Sequence, residues 1–196
     1  CEEDKSQEFG RLTGVIRDEI RRLNVIIEDF LTFSRSRRLE LRDYSLTEVV
    51  QKLAGLMGEE ARARGIELTL RPGPDALMVP MDVDKLQQAL INIVKNAIES
   101  IDGSGSIDIV MEKPQGDRAV VRISDTGSGL APEEVEKIFD PDYTTKEKGL
   151  GLGLPIAYEI IRGHGGAIRV QSAVGRGTTF EITLPTRPAS AAPPAR

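Results

Sequence analysis

The sequence predicts an α/β sandwich in which helices cover one face of a mixed sheet. Two observations lead there. Helical and strand-like patterns interleave along the chain, and several neighbouring strands are joined by short turns that make hairpins. At 196 residues with 39% hydrophobic content, the chain is long enough for one good core, or one core plus an accessory element.

Taken in order, residues 12–34 contain no proline, and Leu12, Ile16, Leu23, Ile26, Phe30 and Phe33 recur at alternating four- and three-residue steps, with Glu19 at one seam position. That is coiled-coil spacing. Ile20, Ile27 and Leu31 widen the stripe, so this helix is expected to touch more than one neighbour in a bundle. After a basic cluster at 35–38, residues 39–44 alternate like a strand. Ser45 or Thr47 then caps a helix running to about Arg64, and Gly65 ends it. Residues 66–70 read as a strand, Arg71-Pro-Gly-Pro74 as a turn and 76–80 as a short strand. Asp82 caps a strongly patterned helix through Ile101. Strands at 106–112 and 119–125 form a hairpin through Pro114-Gln-Gly-Asp117. Residues 127–149 read as a long functional loop or lid with a short helix near 133–138. A helix at 152–162, a strand at 167–172, a turn at 175–177 and a strand at 178–184 follow. The Pro/Ala-rich 187–196 is expected to be a disordered tail.

Composition narrows the function classes. A net charge of -5 without a long Lys/Arg run argues against a nucleic-acid surface. Cys1 is the one cysteine, which rules out an internal disulfide and suits a reducing compartment, the cytoplasm by default. No stretch approaches the roughly 20 apolar residues of a membrane helix. Because the chain opens on Cys1 and runs almost at once into a long helix, it is expected to be a segment of a longer polypeptide, with any sensor or membrane anchor upstream.

Three constellations carry chemistry. Leu86, Leu90, Ile93, Val94, Ala97 and Ile101 make the core face of the 82–101 helix, and Asn92 and Asn96 stand one turn apart beside it. An amide oxygen is a neutral hard ligand suited to Mg²⁺, which takes few protein ligands and fills its shell from phosphate and water; the alternative is a pair of ordinary surface amides. Asp125 ends a strand of Val and Ile and precedes Thr126-Gly-Ser-Gly129, so its carboxylate is placed to accept an exocyclic amine such as that of adenine. Gly149-Leu-Gly-Leu-Gly-Leu-Pro155 opens a helix, where free backbone amides and the helix dipole would hold phosphate. Neither G-x-G-x-x-G nor the P-loop pattern matches, and one histidine cannot supply a Ser-His-Asp set.

In their order and spacing these features resemble the catalytic and ATP-binding region of bacterial sensor histidine kinases, over nearly all of residues 12–184. Leu86-Gln-Gln-Ala-Leu-Ile-Asn-Ile-Val-Lys-Asn-Ala97 is similar to the N box, Asp125-Thr-Gly-Ser-Gly129 to the first glycine box and Ile138-Phe-Asp-Pro-Asp-Tyr-Thr-Thr-Lys146 to the F box. The run from Gly149 to Leu154 resembles the second glycine box, and Gly175-Arg-Gly-Thr-Thr-Phe180 the closing turn and strand. The resemblance implies a Bergerat-type fold, the three-helix, mixed-sheet sandwich shared with gyrase and Hsp90.

It also implies roles. Asn96 would coordinate Mg²⁺ with Asn92 near the phosphates, and Asp125 would accept the adenine amine, with Thr178 joining through water. Gly127 and Gly129 would shape the base pocket. Phe139, Thr144, Thr145 and Lys146 would belong to a mobile lid, and Gly149, Gly151, Leu152, Gly153 and Leu154 to the phosphate loop. Hydrolytic relatives carry a water-activating glutamate where this chain has Asn92, so the γ-phosphoryl group is expected to pass to a protein acceptor, with catalysis by positioning and metal electrostatics.

Ile16-Arg-Asp-Glu-Ile-Arg-Arg-Leu-Asn24 through Phe30-Leu-Thr-Phe-Ser-Arg35 resembles the second helix of the dimerisation and phosphoacceptor hairpin. The expected division is therefore 1–38 partial dimerisation region, 39–186 ATP-binding catalytic domain and 187–196 tail. The acceptor histidine has no counterpart, and His164, in Arg162-Gly-His-Gly-Gly166, reads as structural. The implied partners are a response-regulator receiver domain and a second copy of the chain through the N-terminal helix, and this fragment alone is not expected to autophosphorylate. Asp142-Tyr143 and Leu150 depart from the family pattern and bear on lid closure. Two other readings stay open: a nucleotide-responsive dimerisation module without phosphotransfer, and a serine kinase of the anti-sigma type, which the 12–34 helix disfavours.

Overall fold

The computed structural model describes residues 39–71, 73–74, 77–141, 143 and 151–186, with Thr13, Gly14 and Arg17 besides. The chain divides into two compact units, Cys1–Arg37 and Arg38–Arg196. In the first unit Thr13, Gly14 and Arg17 are helical; the rest of the expected bundle helix lies outside the described residues, as does the 187–196 tail.

The second unit begins with β1 (Arg42–Ser45) and α1 (Leu46–Ala63). Ser45 caps α1 by accepting the Glu48 amide at 3.3 Å, and the chain turns away at Gly65. Next come β2 (Ile66–Arg71), β3 (Met78–Met81) and α2 (Val83–Ser100), the last capped by Asp82, whose Oδ1 accepts the Lys85 amide at 3.2 Å. Then follow β4 (Gly105–Gln115), β5 (Arg118–Asp125), the single turn α3 (Pro132–Val135), α4 (Gly153–Gly163), β6 (Ala167–Ala173) and β7 (Gly177–Pro185).

Five strands form one mixed sheet in the order β2-β4-β5-β7-β6. Only β2 and β4 run parallel, because α2 carries the chain between them; the other pairs are antiparallel. β1 and β3 pair with each other as a separate two-stranded ribbon, which the strand pattern alone did not distinguish from membership of the main sheet.

The hairpin between β4 and β5 is tighter than the sequence suggests. Its turn is Gly116-Asp117, and β4 continues through Pro114 past a register shift between Glu112 and Gln115. A proline is tolerated there because, among the described residues, Pro114 has no register partner on either neighbour: β2 pairs with β4 only as far as Val110, and the pairing with β5 skips from Glu112 to Gln115.

The sheet is two-faced, as period-2 alternation requires. Ile107, Ile109, Val121, Ile123, Phe180 and Ile182 are fully or almost fully buried beneath the helices, together with Leu53, Leu90 and Ile93 from α1 and α2. Full burial of each such side chain contributes roughly 1.5–3 kcal/mol. On the opposite face Val110, Arg122, Glu181 and Arg169 lie in one row across β4, β5, β7 and β6. Arg122 is held by Glu181 at 2.7 Å and by Glu112, and the hydrogen bond to Glu181 raises its already high pKa. Its side chain is 41% exposed, so this ion pair keeps the outer face solvated rather than building a second core.

α2 and α4 carry the residues of interest, and one histidine ties them together. His164, 2% exposed at the C-terminus of α4, holds the Ile160 carbonyl with Nδ1 at 2.7 Å and accepts the Asp82 amide with Nε2 at 3.0 Å. Both ring nitrogens are thereby engaged and the neutral Nδ1–H tautomer is selected, so His164 is structural, as its setting between glycines suggests. Replacing it by Ala leaves the Asp82 amide unpaired at the start of α2, and His164→Ala should lose about 1–3 kcal/mol of stability. A urea unfolding midpoint matching that of the unaltered protein would contradict this role.

Candidate functional site

The site is organised along one edge of α2. Asn92, Asn96 and Ser100 follow each other at four-residue steps, so their side chains share a face over two turns, roughly 12 Å of helix. All three are half-buried beside the apolar stripe that packs α2 on the core. The two ends of this polar row meet different chemistry.

At the Ser100 end sits Asp125, the last residue of β5 and 6% exposed. Its Oδ1 takes three donors: the Gly127 amide at 2.8 Å, the Thr178 amide at 3.2 Å and, at 3.2 Å, the Ser100 hydroxyl, whose one proton is shared with the Ala97 carbonyl at 2.8 Å. Three donors on one oxygen fix the carboxylate plane. The loop that follows is packed backbone to backbone. The Ser128 amide donates to the Ser100 carbonyl at 2.9 Å, and a Cβ at Gly127 would collide with the Ser100 hydroxyl and carbonyl. Gly129, at φ +67°, lies against the Ala173 carbonyl, and the Gly175 amide reaches back to Ser128 at 2.7 Å. The carboxylate of Asp125 is thereby fixed where α2, β5 and β7 meet, a position from which it could accept an amine.

At the Asn92 end, the Asn92 side-chain amide donates to the Gly153 carbonyl at 3.0 Å, fixing the start of α4. Gly151 has φ +67°, Leu152 provides the N-cap without a capping side chain, and the first intrahelical bond goes from Ile156 to the Leu152 carbonyl. The amides of Gly153 and Leu154 therefore have no intrahelical acceptor within reach, and Pro155 has no amide at all. Such an uncapped helix start, reinforced by its dipole, accepts anions. Asn96 lies midway between the base-like and anion-like ends. Among the described residues no group of three or more His, Cys, Asp or Glu gathers into a metal cage. A divalent ion at Asn96 would draw most of its shell from phosphate and water, which is the habit of Mg²⁺, so the amide donor set fits that ion.

Of the expected lid, Thr144, Thr145, Lys146, Gly149, Asp142 and Leu150 lie outside the described residues. Its base is described. Phe139 stacks on Tyr158 of α4 with ring centroids 5.0 Å apart, and Glu134 accepts the Ala131 amide at 2.7 Å while its other oxygen meets the Tyr143 hydroxyl at 3.4 Å. Desolvation, and then Glu134, raises the pKa of that phenol. The described start of this segment is thus anchored to α4 through Phe139 and Tyr158.

Two residues of the site escaped the sequence reading. Ser100 continues the Asn92–Asn96 row by one more step of four, a signal that was present but unread. Ser172 on β6 had no such signal: its hydroxyl accepts the Leu130 amide at 2.8 Å and lies 3.0 Å from the Gly177 carbonyl and 2.9 Å from Thr178 Oγ1. These partners come from two places in the sequence, Leu130 and the adjacent Gly177 and Thr178, and the pairing of β6 with β7 brings them together.

Residues 81–188 match the family described as histidine kinase-, DNA gyrase B-, and HSP90-like ATPase. The sensor histidine kinase ZraS of Salmonella typhimurium is 35% identical over 178 residues, 91% of this chain and 38% of that protein. The chain thus spans less than two fifths of the length of that relative. Among solved structures, full-length ShkA in complex with AMPPNP superposes with a TM-score of 0.79 at 27% identity, over 89% of this chain and 38% of that one. The histidine kinase ThkA in complex with the response regulator protein TrrA gives a TM-score of 0.74 at 32% identity, over 89% of this chain and 50% of that one.

Proposed function

Since the chain belongs to the family of histidine kinase-, DNA gyrase B- and HSP90-like ATPases and carries the ATP-binding domain of a sensor histidine kinase, we propose that it is the phosphoryl-donating part of such a kinase. It would bind Mg-ATP and pass the γ-phosphoryl group to a histidine of the parent protein, for relay to an aspartate of a response-regulator receiver domain. The observation that carries this reading is the row Asn92–Asn96–Ser100, which joins an amine-accepting carboxylate at one end to an uncapped helix start at the other.

In this reading the residues take the following roles. Asp125 accepts the adenine amine and Thr178 assists it. Gly127 and Gly129 admit the base by letting the loop lie flat on Ser100 and Ala173. The amides of Gly151, Leu152, Gly153 and Leu154 hold phosphate oxygens, with Gly149, Thr144, Thr145 and Lys146 closing over them. Asn92 keeps the start of α4 in place through the Gly153 carbonyl. Asn96 would hold Mg²⁺, which when bound neutralises charge on the transferring group. An amide at position 92 is not a base at neutral pH, so water has no activating carboxylate there and transfer to a protein side chain is favoured over hydrolysis. The N-terminal residues 1–38 would be part of a dimerisation region pairing two copies, 39–186 the catalytic domain and 187–196 a tail. Among the described residues no helix is long and apolar enough to cross a membrane, and a cytoplasmic site with any anchor elsewhere in the parent suits the composition.

The metal assignment has a direct test. ATP affinity measured by titration with Mg²⁺ and again with chelator should differ clearly for the unaltered chain, and Asn96→Ala should shrink that difference to less than about threefold, since the chief protein ligand is gone. An undiminished Mg²⁺ effect would place the ion elsewhere. The transfer itself is tested by incubating the parent protein with labelled ATP and Mg²⁺. Acid-labile, base-stable phosphate supports the histidine kinase reading, whereas acid-stable phosphoserine or binding without transfer contradicts it.

A further inference from the structure

Ser172 lies on β6, the edge strand of the sheet, and is not one of the residues that reach the nucleotide in the reading above. Its hydroxyl nevertheless joins three elements. It accepts the Leu130 amide at 2.8 Å, faces the Gly177 carbonyl at 3.0 Å and meets Thr178 Oγ1 at 2.9 Å. Serine has one proton to give, and a carbonyl can only accept. The arrangement that satisfies every group therefore sends the Ser172 proton to the Gly177 carbonyl and turns the Thr178 proton inward, onto Ser172 Oγ. Thr178 is 5% exposed, and its amide is bound to Asp125 Oδ1 at 3.2 Å, so its backbone is fixed beside the carboxylate.

We propose that Ser172 sets the base preference of this site by holding the Thr178 hydroxyl as an acceptor beside the acceptor Asp125. Two acceptors side by side match a base edge that carries an amine and repel one that carries an oxo group in its place. A buried polar group left facing a like group costs more than a missing bond gains, which is why polar mismatches discriminate strongly. Were Ser172 removed, the Thr178 hydroxyl would be free to turn, and its proton could then serve a 6-oxo purine. Ser172 is a positioning residue in this account, since it acts through Thr178 rather than by touching the base. The inference rests on the adenine assignment of Asp125.

The test compares ATP with inosine triphosphate, which differ at the 6-position of the base and share the same phosphates and metal, so the affinity ratio isolates the base edge. Isothermal titration of the unaltered chain should show a preference for ATP. In Ser172→Ala the ratio should fall about tenfold, the effect of one well-placed hydrogen bond. In a Thr178→Val background, where the hydroxyl is already absent, adding Ser172→Ala should leave the ratio unchanged within about twofold, because the two changes act through one group. A Ser172→Ala variant that weakens both nucleotides equally would overturn the proposal, as would an equal shift of the ratio in the Thr178→Val background. Should Ser172→Ala fail to fold, Thr178→Val alone decides: the ratio must fall, and an unchanged ratio overturns the inference. Failure of the unaltered chain to bind ATP at all would overturn the adenine reading itself and this inference with it, a result separate from those above.

Discussion

Asp125→Asn should raise the dissociation constant for ATP roughly 10- to 100-fold while lowering the stability of the empty protein by less than about 1 kcal/mol. The asymmetry follows from how the carboxylate is used. Its Oδ1 receives the Gly127 and Thr178 amides and the Ser100 hydroxyl. An asparagine oxygen can keep all three bonds, so the loop after β5 and the strand β7 stay joined. The second carboxylate oxygen, however, becomes an NH₂ group, which turns a donor toward the donor amine of adenine. Losing a hydrogen bond to a charged acceptor costs about 1.5–3 kcal/mol, and each 1.4 kcal/mol is tenfold in affinity. Calorimetric binding together with thermal melting of the empty protein separates the two effects; a melting change of the expected size is only about 2–4 °C in a chain of this length. Comparable losses in both measurements would make Asp125 a structural residue, and unaltered binding would remove it from the site.

Gly129→Ala should lower stability by about 2–5 kcal/mol and disable nucleotide binding. Gly129 combines a left-handed backbone, φ +67°, with no room, since a Cβ there would lie 2.7 Å from the Ala173 carbonyl carbon and 3.2 Å from the Val174 amide nitrogen. The backbone conformation costs an alanine about 1–2 kcal/mol, and displacing packed backbone adds about 1–3 kcal/mol. Gly175 offers the control. It has nearly the same backbone, φ +72°, but nothing within 4 Å of the added methyl, so Gly175→Ala should cost only the conformational part, about 1–2 kcal/mol. Urea unfolding of both variants measures the difference directly. Equal losses would mean that the close approach to Ala173 does not constrain the loop.

Both predictions draw on contacts that span dozens of residues, whereas the features legible from sequence were mostly local. The caps Ser45 and Asp82 were readable because each bonds an amide three residues away, inside the window over which sequence pattern operates. The helix of Asn92 and Asn96 was readable because its apolar stripe has the helical period. Asp125 and the glycines around it were readable as candidates because a strand end followed by glycines is a short-range signature, although their purpose came from the order of five motifs.

Where local preference and tertiary context disagreed, context won. Pro114 signals a turn, yet β4 runs through it because, among the described residues, that position has no register partner on β2 or β5. The 76–80 segment reads as one more strand, and nothing local says that it pairs with β1 and stays out of the main sheet. Ser100, Ser172 and His164 illustrate the limit most clearly. Their bonds reach 25, 42 and 82 residues along the chain. A hydroxyl or imidazole has the same sequence signature whether it faces water or joins two elements.

By itself, then, the sequence determined most of the described helices and strands, the sandwich class and which residues are candidates for the site, because each depends on side-chain chemistry and short-range periodicity. The tertiary structure alone decided which oxygen of which residue is oriented by what: the three donors on Asp125, the tie from Asn92 to α4 and the junction at Ser172. Hydrogen bonds demand positions accurate to a few tenths of an ångström, and that accuracy arises only when strands distant in the chain are locked into register and their buried polar groups must all find partners.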